Sequence, residues 1–186
     1  MQHTICILAR ILCFPQTWDT ALQAGVVTLL TAKMKESLSG QSLWTQISTA
    51  CALASITGAE GGKHTAVQAG VVPLLVGTLA LPSRDLVKMA VRALRNIASV
   101  DSGRQAAYAA HAVKPLVAIL DSRPQADDQV RYDAVKTLSY IASIGKVARK
   151  TIREQGAVKK LKALSNIPVE LRLAADGLRD DLRTWS

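Results

Sequence analysis

The sequence has 186 residues, of which 49% are hydrophobic, enough to bury the core of one ordinary domain, and this argues against a disordered chain. Aromatic residues make up only 4%, and Leu, Ala, Val and Ile dominate, so the composition favours an all-α fold over a β-sandwich. The 23 Lys and Arg against 14 Asp and Glu give a formal charge of +9, which favours acidic partners without choosing their chemical class.

The cysteines and the apolar segments bear on the cellular compartment. Cys6, Cys13 and Cys51 are odd in number and form no CxxC pair, a pattern typical of a reducing compartment. Residues 4–14 are apolar, but Arg10 interrupts them and no basic residue precedes them, which argues against a signal peptide. No segment approaches the roughly 20 apolar residues of a membrane-spanning helix. We therefore expect a cytoplasmic protein, with the nucleus as an alternative, and no membrane span.

The first internal repeat begins at residue 23. The sequence QAGVVTLL at residues 23–30 returns as QAGVVPLL at residues 68–75, and more weakly as AHAVKPLV at 110–117 and QGAVKKLK at 155–162. The spacings of 45, 41 and 45 residues lie within the range of about 40–47 for HEAT or armadillo units. Glycine suits a sharp turn between two helices, so we predict repeat turns at Gly25, Gly70 and Gly156 and a relaxed or altered turn at His111.

A second series of motifs follows the first in phase. It reads ACALASI at residues 50–56, AVRALRNIAS at 90–99 and AVKTLSYIAS at 134–143, and residues 5–12 fit the same template. Apolar residues within 84–99 fall on one helical face, which predicts an amphipathic helix. Helices are also predicted over residues 104–110, 113–120 and 128–144, with Pro82, Pro124 and Pro168 near helix boundaries.

The two series predict a single repeat domain over residues 1–186. A partial leading repeat (1–21) is followed by repeats at 22–66, 67–107 and 108–151, and a capping repeat (152–186) contains a charged last helix over 171–185 that ends at Trp185. The leading repeat contributes only a third helix, over residues 4–14, whose Ile5, Leu8, Ile11 and Leu12 are expected to cover the next unit. We expect a preceding repeat or another chain to cover the opposite side.

These motifs resemble armadillo repeats, whose second helix typically begins AGAIPPLVxLL and whose third helix carries ALxNL. Here the corresponding segments read AGVVPLL at residues 69–75 and ALRNI at residues 93–97. The resemblance covers nearly the whole chain and implies an all-α fold, a right-handed α-solenoid of three-helix repeats. HEAT-like repeats of two helices are the alternative, although the short first helix and its glycine turn argue against them.

The resemblance also implies a binding groove lined by the third helices. In armadillo proteins an asparagine of each third helix holds an extended peptide backbone, and the residue one turn earlier is often Trp. Only Asn96 matches this series of asparagines, and the positions one turn earlier hold Cys6, Cys51, Arg92, Lys136 and Asp176. The predicted partner-binding residues instead form a basic patch, with Arg95 toward its rim: Lys88, Arg92, Asn96, Lys136 and Tyr140.

The sequence therefore predicts a non-catalytic scaffold or adaptor whose groove binds an acidic or phosphorylated segment of a protein partner. Two alternatives remain. One is a structural subunit of a large cytoskeletal or axonemal assembly, which an incomplete array would suit. The other is nucleic-acid binding along the basic surface, against which stands the absence of the regular side-chain code of RNA-reading helical repeats.

Sites for chemistry are not expected. Residues 57–64, TGAEGGKH, imitate a phosphate-binding loop but lack its first glycine and its final Ser or Thr, so they predict a flexible turn between repeats. His3, His64 and His111 lie far apart, and no catalytic motif is present. We expect no catalytic residue, no metal ligand and no cofactor.

Overall fold

A computed structural model describes residues 2–40, 42–121, 127–164 and 168–183, with the side chains of residues 2 and 3 left out. Pro124 and Trp185, a predicted helix boundary and the predicted end of the last helix, lie outside the described residues. Within these ranges the chain is helical and contains no strand. A short 3-10 helix, Pro15–Thr17, precedes α2. The α-helices are α1 (Gln2–Ile11), α2 (Trp18–Gln23), α3 (Val26–Leu38), α4 (Leu43–Ile56), α5 (Glu60–Gln68), α6 (Val71–Thr78), α7 (Arg84–Ala98), α8 (Asp101–Ala109), α9 (Val113–Ile119), α10 (Asp128–Ala142), α11 (Lys146–Glu154), α12 (Ala157–Ala163) and α13 (Val169–Arg183).

After α1, the helices follow one another in sets of three. Each set has a short first helix (α2, α5, α8, α11), a second helix (α3, α6, α9, α12) and a third helix (α4, α7, α10, α13). The third helices stack in the order α1, α4, α7, α10, α13, and one hydrophobic core runs through the whole stack. This arrangement is the predicted all-α solenoid of three-helix repeats, and the HEAT-like alternative of two helices per unit is wrong.

The predicted unit limits relate to these helices in a simple way. The limits after residues 21, 66, 107 and 151 fall inside α2, α5, α8 and α11, the first helices of the four sets. The reason is that the sequence repeat was aligned on the turn that ends the first helix. We propose that these limits mark the successive repeats of one continuous array.

The turn between first and second helices contains a residue with a left-handed φ angle in every set. Gly25, Gly70 and Gly156 adopt left-handed φ angles of 71°, 71° and 79°. His111 adopts φ 58° at the same place, so the left-handed residue is kept, and the expected alteration of the turn is limited to a later start of the second helix. Histidine is among the residues that enter the left-handed region more readily than most. The histidine therefore keeps the turn, although α9 begins one residue later, at Val113, than its counterparts.

Two glycines allow a first helix to lie against the preceding third helix. A Cβ on Gly62 of α5 would overlap the carbonyl oxygen of Ile56, and a Cβ on Gly103 of α8 would overlap that of Ile97. Gly62 belongs to the segment predicted as a flexible turn. That prediction is wrong from Glu60 onward, because α5 begins there, and Lys63 pairs with Glu60 at 2.8 Å.

Helix α1 packs on α4 with one side and exposes the other. Ile5 and Leu12 are buried as predicted, but Ile11 is 46% exposed and lies with Ile7 (58%) and Phe14 (57%) on the open side. The expectation that Ile11 covers the next unit is wrong. Its counterparts in the stack are fully buried: Ile56, Ile97 and Ile141.

Candidate partner-binding groove

The predicted partner-binding residues lie on the third helices α7 and α10, at exposed or half-exposed positions. On α4, Trp44, Ile47, Cys51 and Ser55 share one side of the helix, since they are spaced by three, four and four residues. The other sides of α4 contact α1, α3 and α7. We call this open face of α4, α7 and α10 the groove. Its counterparts on the two following helices are Lys88, Arg92 and Asn96 on α7, and Lys136 and Tyr140 on α10.

Arg92 and Lys136 occupy equivalent positions on adjacent helices. Within the described residues neither side chain makes an ion pair, and Lys136 Nζ lies 5.7 Å from the centroid of the Tyr140 ring. A cation at this distance from an aromatic face is held by the ring quadrupole. Arg92 is exposed. We call these two residues the cationic pair, because both offer positive charge to a partner, although Arg92 also interacts electrostatically with Asp133.

Cys51 stands beside Arg92 on the groove floor. Burial raises the pKa of the Cys51 thiol, the nearby Cys13 and Cys6 add to this effect, and Arg92 opposes it without cancelling it. The thiol therefore stays protonated at neutral pH. A protonated, half-buried thiol is a weak nucleophile and behaves as a small apolar side chain.

Lys88 is engaged by a carboxylate of the next repeat. Its Nζ lies 3.3 Å from Oδ2 of Asp127, and Nη2 of Arg84 lies 3.4 Å from the same oxygen. The other carboxylate oxygen of Asp127 accepts a hydrogen bond from the Val130 amide at 2.9 Å and so caps α10. Lys88 thus ties α7 to α10 as well as bordering the groove.

Asn96 and Arg95 also join neighbouring helices. Asn96 Nδ2 donates a hydrogen bond to the Ala54 carbonyl of α4 at 3.0 Å, and Arg95 Nη2 donates one to Asn96 Oδ1 at 3.1 Å. Arg95 Nη1 in turn lies 2.7 Å from Oδ1 of the buried Asp133 on α10. The lone asparagine of the groove is therefore held by a chain of contacts that runs from α4 to α10.

Trp44 is a groove residue that the sequence analysis missed. Its indole is 57% exposed at the beginning of α4, on the same helix side as Cys51. The prediction compared only the asparagine position and the position one turn earlier, and Trp44 lies two turns before Cys51. A residue seven positions earlier on a helix returns to nearly the same side, so this spacing could have revealed it.

The described part of the chain bears on metal binding and on membrane insertion. It holds no group of three or more His, Cys, Asp or Glu placed to bind a metal ion. None of the helices in the described ranges is both long enough and apolar enough to span a bilayer. All three cysteines are free thiols.

Comparisons with known proteins agree with this architecture. The armadillo/beta-catenin-like repeat family matches residues 60–99. Vacuolar protein 8 of Saccharomyces cerevisiae is 34% identical over 99 residues, which cover 53% of this chain and 17% of that protein. Vacuolar protein 8 of Candida albicans is 30% identical over 145 residues, which cover 74% of this chain and 24% of that protein. The chain thus spans less than a quarter of the length of these relatives.

Solved structures share the fold over almost the entire chain. A designed armadillo repeat protein in complex with the peptide (KR)4 superposes with a TM-score of 0.81 and 25% identity, covering 97% of this chain and 74% of that one. The family match, the relatives and the three-helix units with their glycine turns all agree. The chain belongs to the armadillo repeat superfamily.

Proposed function

We propose that this protein is a non-catalytic protein-binding scaffold whose groove holds an acidic or phosphorylated segment of a partner. The observation that carries the proposal is the cationic pair, two exposed or half-exposed cations on adjacent third helices without an ion-pair partner among the described residues. Charge-assisted hydrogen bonds from such cations to carboxylates or phosphates are stronger than neutral ones.

The positive charge of the groove determines the sign of the net charge that we expect on the ligand. The designed armadillo protein named above was solved with a peptide of alternating Lys and Arg. In this chain the middle of the corresponding surface presents Arg92, Lys136 and the partly neutralised Lys88. We infer that the preference is the opposite one, for an extended acidic segment. Like charges placed opposite each other suppress a wrong partner, so basic peptides should be rejected.

A cytoplasmic location fits this proposal. The free thiols of Cys6, Cys13 and Cys51 support a reducing compartment. A segment that binds in an extended form through a surface groove needs no catalytic group and no cofactor, so we propose neither for this chain.

The test measures peptide binding by fluorescence anisotropy. The full chain is titrated into labelled (Asp-Glu)4, (Lys-Arg)4 and a neutral Gly-Ser peptide of equal length, at two salt concentrations. We expect (Asp-Glu)4 to bind most tightly. The Arg92→Glu with Lys136→Glu variant should lose about tenfold in affinity or more, because it replaces two attractions with two repulsions.

A matched control separates the groove from net charge. Lys114 of α9 and Lys159 of α12 are exposed on second helices, away from the groove, and Lys114→Glu with Lys159→Glu makes the same change in charge. This control should retain at least half of the affinity. Equal losses in both double variants, or tighter binding of (Lys-Arg)4, would refute the groove. Tight binding of a nucleic-acid oligomer with a steep salt dependence would favour the nucleic-acid alternative.

A further inference from the structure

The groove changes character along its length. Its first helix, α4, presents Trp44, Ile47, Cys51 and Ser55, none of which is charged at neutral pH. The next helices present the cationic pair. The position of Trp44 is taken by Asp85 on α7 and Gln129 on α10, so at this level of the groove only α4 presents an aromatic side chain. The two parts of the groove therefore offer different chemistry to one ligand.

From this juxtaposition we propose that the groove recognises a two-part segment, with one large apolar side chain bound against Trp44 and Ile47 and acidic side chains bound at Arg92 and Lys136. The inference rests on the proposed function, since it names the ligand of the same groove. Trp44 leaves more than half of its indole in water, whereas Ile47 packs partly into the core and fixes the floor beside it. Covering these side chains removes apolar surface from water.

Asp85 sets the register of the ligand. It is exposed at the level of Trp44, one helix further along, and would repel an acidic residue placed there. The acidic part of the ligand is therefore directed toward Arg92, two helical turns deeper. Acidic residues placed directly beside the apolar side chain are disfavoured.

The helix geometry gives the spacing between the two parts. Seven residues of helix separate the levels of Trp44 and Arg92, about 10 Å along the axis, and neighbouring helix axes lie about 10 Å apart. The separation is therefore about 14 Å, which an extended chain crosses in about four residues. Lys136, one helix further, is reached about three residues later. The expected motif is an apolar residue followed or preceded, at a distance of four to seven residues, by acidic residues.

The test uses three peptides of matched length. The first is Phe-Gly-Ser-Gly-Asp-Glu-Asp-Glu, the second has the reverse order of residues, and the third replaces Phe with Ala. Binding to the full chain is measured by anisotropy and compared with the Trp44→Ala and Trp44→Gln variants. We expect one of the two Phe peptides to bind about tenfold more tightly than the Ala peptide, as a buried aromatic contact allows.

The Trp44 variants should abolish this gain, so that each variant binds the Phe peptides and the Ala peptide with equal affinity. Leu29→Ala is the control, because Leu29 is also an exposed apolar residue but lies on α3. This variant should preserve the gain in affinity. Because Trp44 is mostly exposed, the variants should keep the wild-type circular dichroism spectrum and melting temperature, which verifies their folding.

Two results would overturn the inference, and they are distinguishable. If neither Phe peptide exceeds the Ala peptide by threefold, or if the gain persists without Trp44, the two-part recognition is wrong while the acidic groove stands. If the acidic peptides bind no more tightly than neutral ones and reversing Arg92 and Lys136 has no effect, the proposed function fails, and the inference fails with it.

Discussion

Arg95 of α7 donates a hydrogen bond to the buried carboxylate of Asp133 on α10, with 2.7 Å between Nη1 and Oδ1. Gln129 donates a second hydrogen bond to the same oxygen at 3.0 Å. Even so, burial outweighs these partners and raises the pKa of the Asp133 carboxyl above its ordinary value. The pair therefore fixes the geometry between two third helices at an electrostatic cost, as buried ion pairs often do.

The first prediction follows from the sign of this shift. A carboxyl whose pKa is raised by folding contributes stability below its ordinary pKa and loses it as the pH rises through the raised value. Asp133→Asn cannot ionise and keeps an oxygen that accepts from Arg95. The free energy of unfolding of the variant, relative to the wild type, should therefore increase as the pH rises from about 4 to 7.

Urea denaturation at several pH values measures this difference. Asp85→Asn serves as the control, because it removes the same charge from an exposed site on α7. A relative stability of Asp133→Asn that falls as the pH rises would show that the Arg95 pair outweighs burial.

Asp127 should show the opposite pH dependence at the N-cap of the same helix, α10. Burial acts to raise its pKa, but the Val130 amide, Lys88 and Arg84 together outweigh burial and lower it. Its contribution to stability is therefore present above its ordinary pKa and is lost as the pH falls. Asp127→Asn keeps a capping oxygen but loses the ion pairs, so it should cost about 0.5 kcal/mol at neutral pH.

The deficit of Asp127→Asn should shrink as the pH is lowered from 6 toward 3, in the same urea series. Asp127→Ala also removes the cap and should cost about 1 kcal/mol more than Asn at neutral pH. A deficit that grows in acid would contradict the assignment of Asp127 as a stabilised carboxylate.

Gly103 tests the contact between successive repeats. Its missing Cβ lets α8 lie against the Ile97 carbonyl at the end of α7, and that carbonyl belongs to a backbone that cannot move aside. Gly103→Ala should therefore lower the free energy of unfolding by at least about 2 kcal/mol. Gly77→Ala on α6, where a Cβ meets nothing within 4 Å, should instead be neutral or stabilise by about 0.5 kcal/mol. Equal effects at both glycines would mean that the helices approach less closely in solution.

His111 tests the repeat turn. It holds a left-handed φ of 58°, which strains a residue with a Cβ. His111→Gly relieves the strain but adds freedom to the unfolded chain, so we expect a net gain of about 0.5 kcal/mol. Gly70→Ala at the equivalent turn should cost about 1 kcal/mol, although its Cβ would meet nothing within 4 Å. Thermal denaturation checks both, and a loss above 1 kcal/mol for His111→Gly would show that the imidazole makes a necessary contact.

The sequence was sufficient for the fold but not for the contacts across the groove. Two repeating motifs in phase determine which helix sides are buried, because a 3.6-residue period leaves one consistent apolar side. The ion pairs of Lys88 with Asp127 and Arg95 with Asp133 join residues 39 and 38 positions apart. Such pairs depend on the rotation and offset of neighbouring helices, which a motif alignment does not contain.

The errors have local physical causes. The turn at His111 was expected to change because glycine is common at this position. The backbone requires only a residue that can adopt a left-handed φ angle, and histidine does so here. Ile11 was expected on the inner side of α1 because it is apolar and fits the repeat template. Its position in the motif matches that of Ile56, which is fully buried on α4, where α1, α3 and α7 all contact the helix.

The last prediction concerns this open side of α1. Ile7 and Phe14 are more than half exposed, while Leu12 is fully buried on the opposite side. Because Ile7 is exposed and Leu12 is buried, Ile7→Lys should change the free energy of unfolding by less than about 0.5 kcal/mol, whereas Leu12→Ala should cost about 3 kcal/mol. Sedimentation velocity of Ile7→Lys with Phe14→Lys should show less self-association than the wild type at high concentration, since an exposed apolar patch promotes contacts between molecules. If Ile7→Lys costs as much as Leu12→Ala, another part of a chain covers this side in solution.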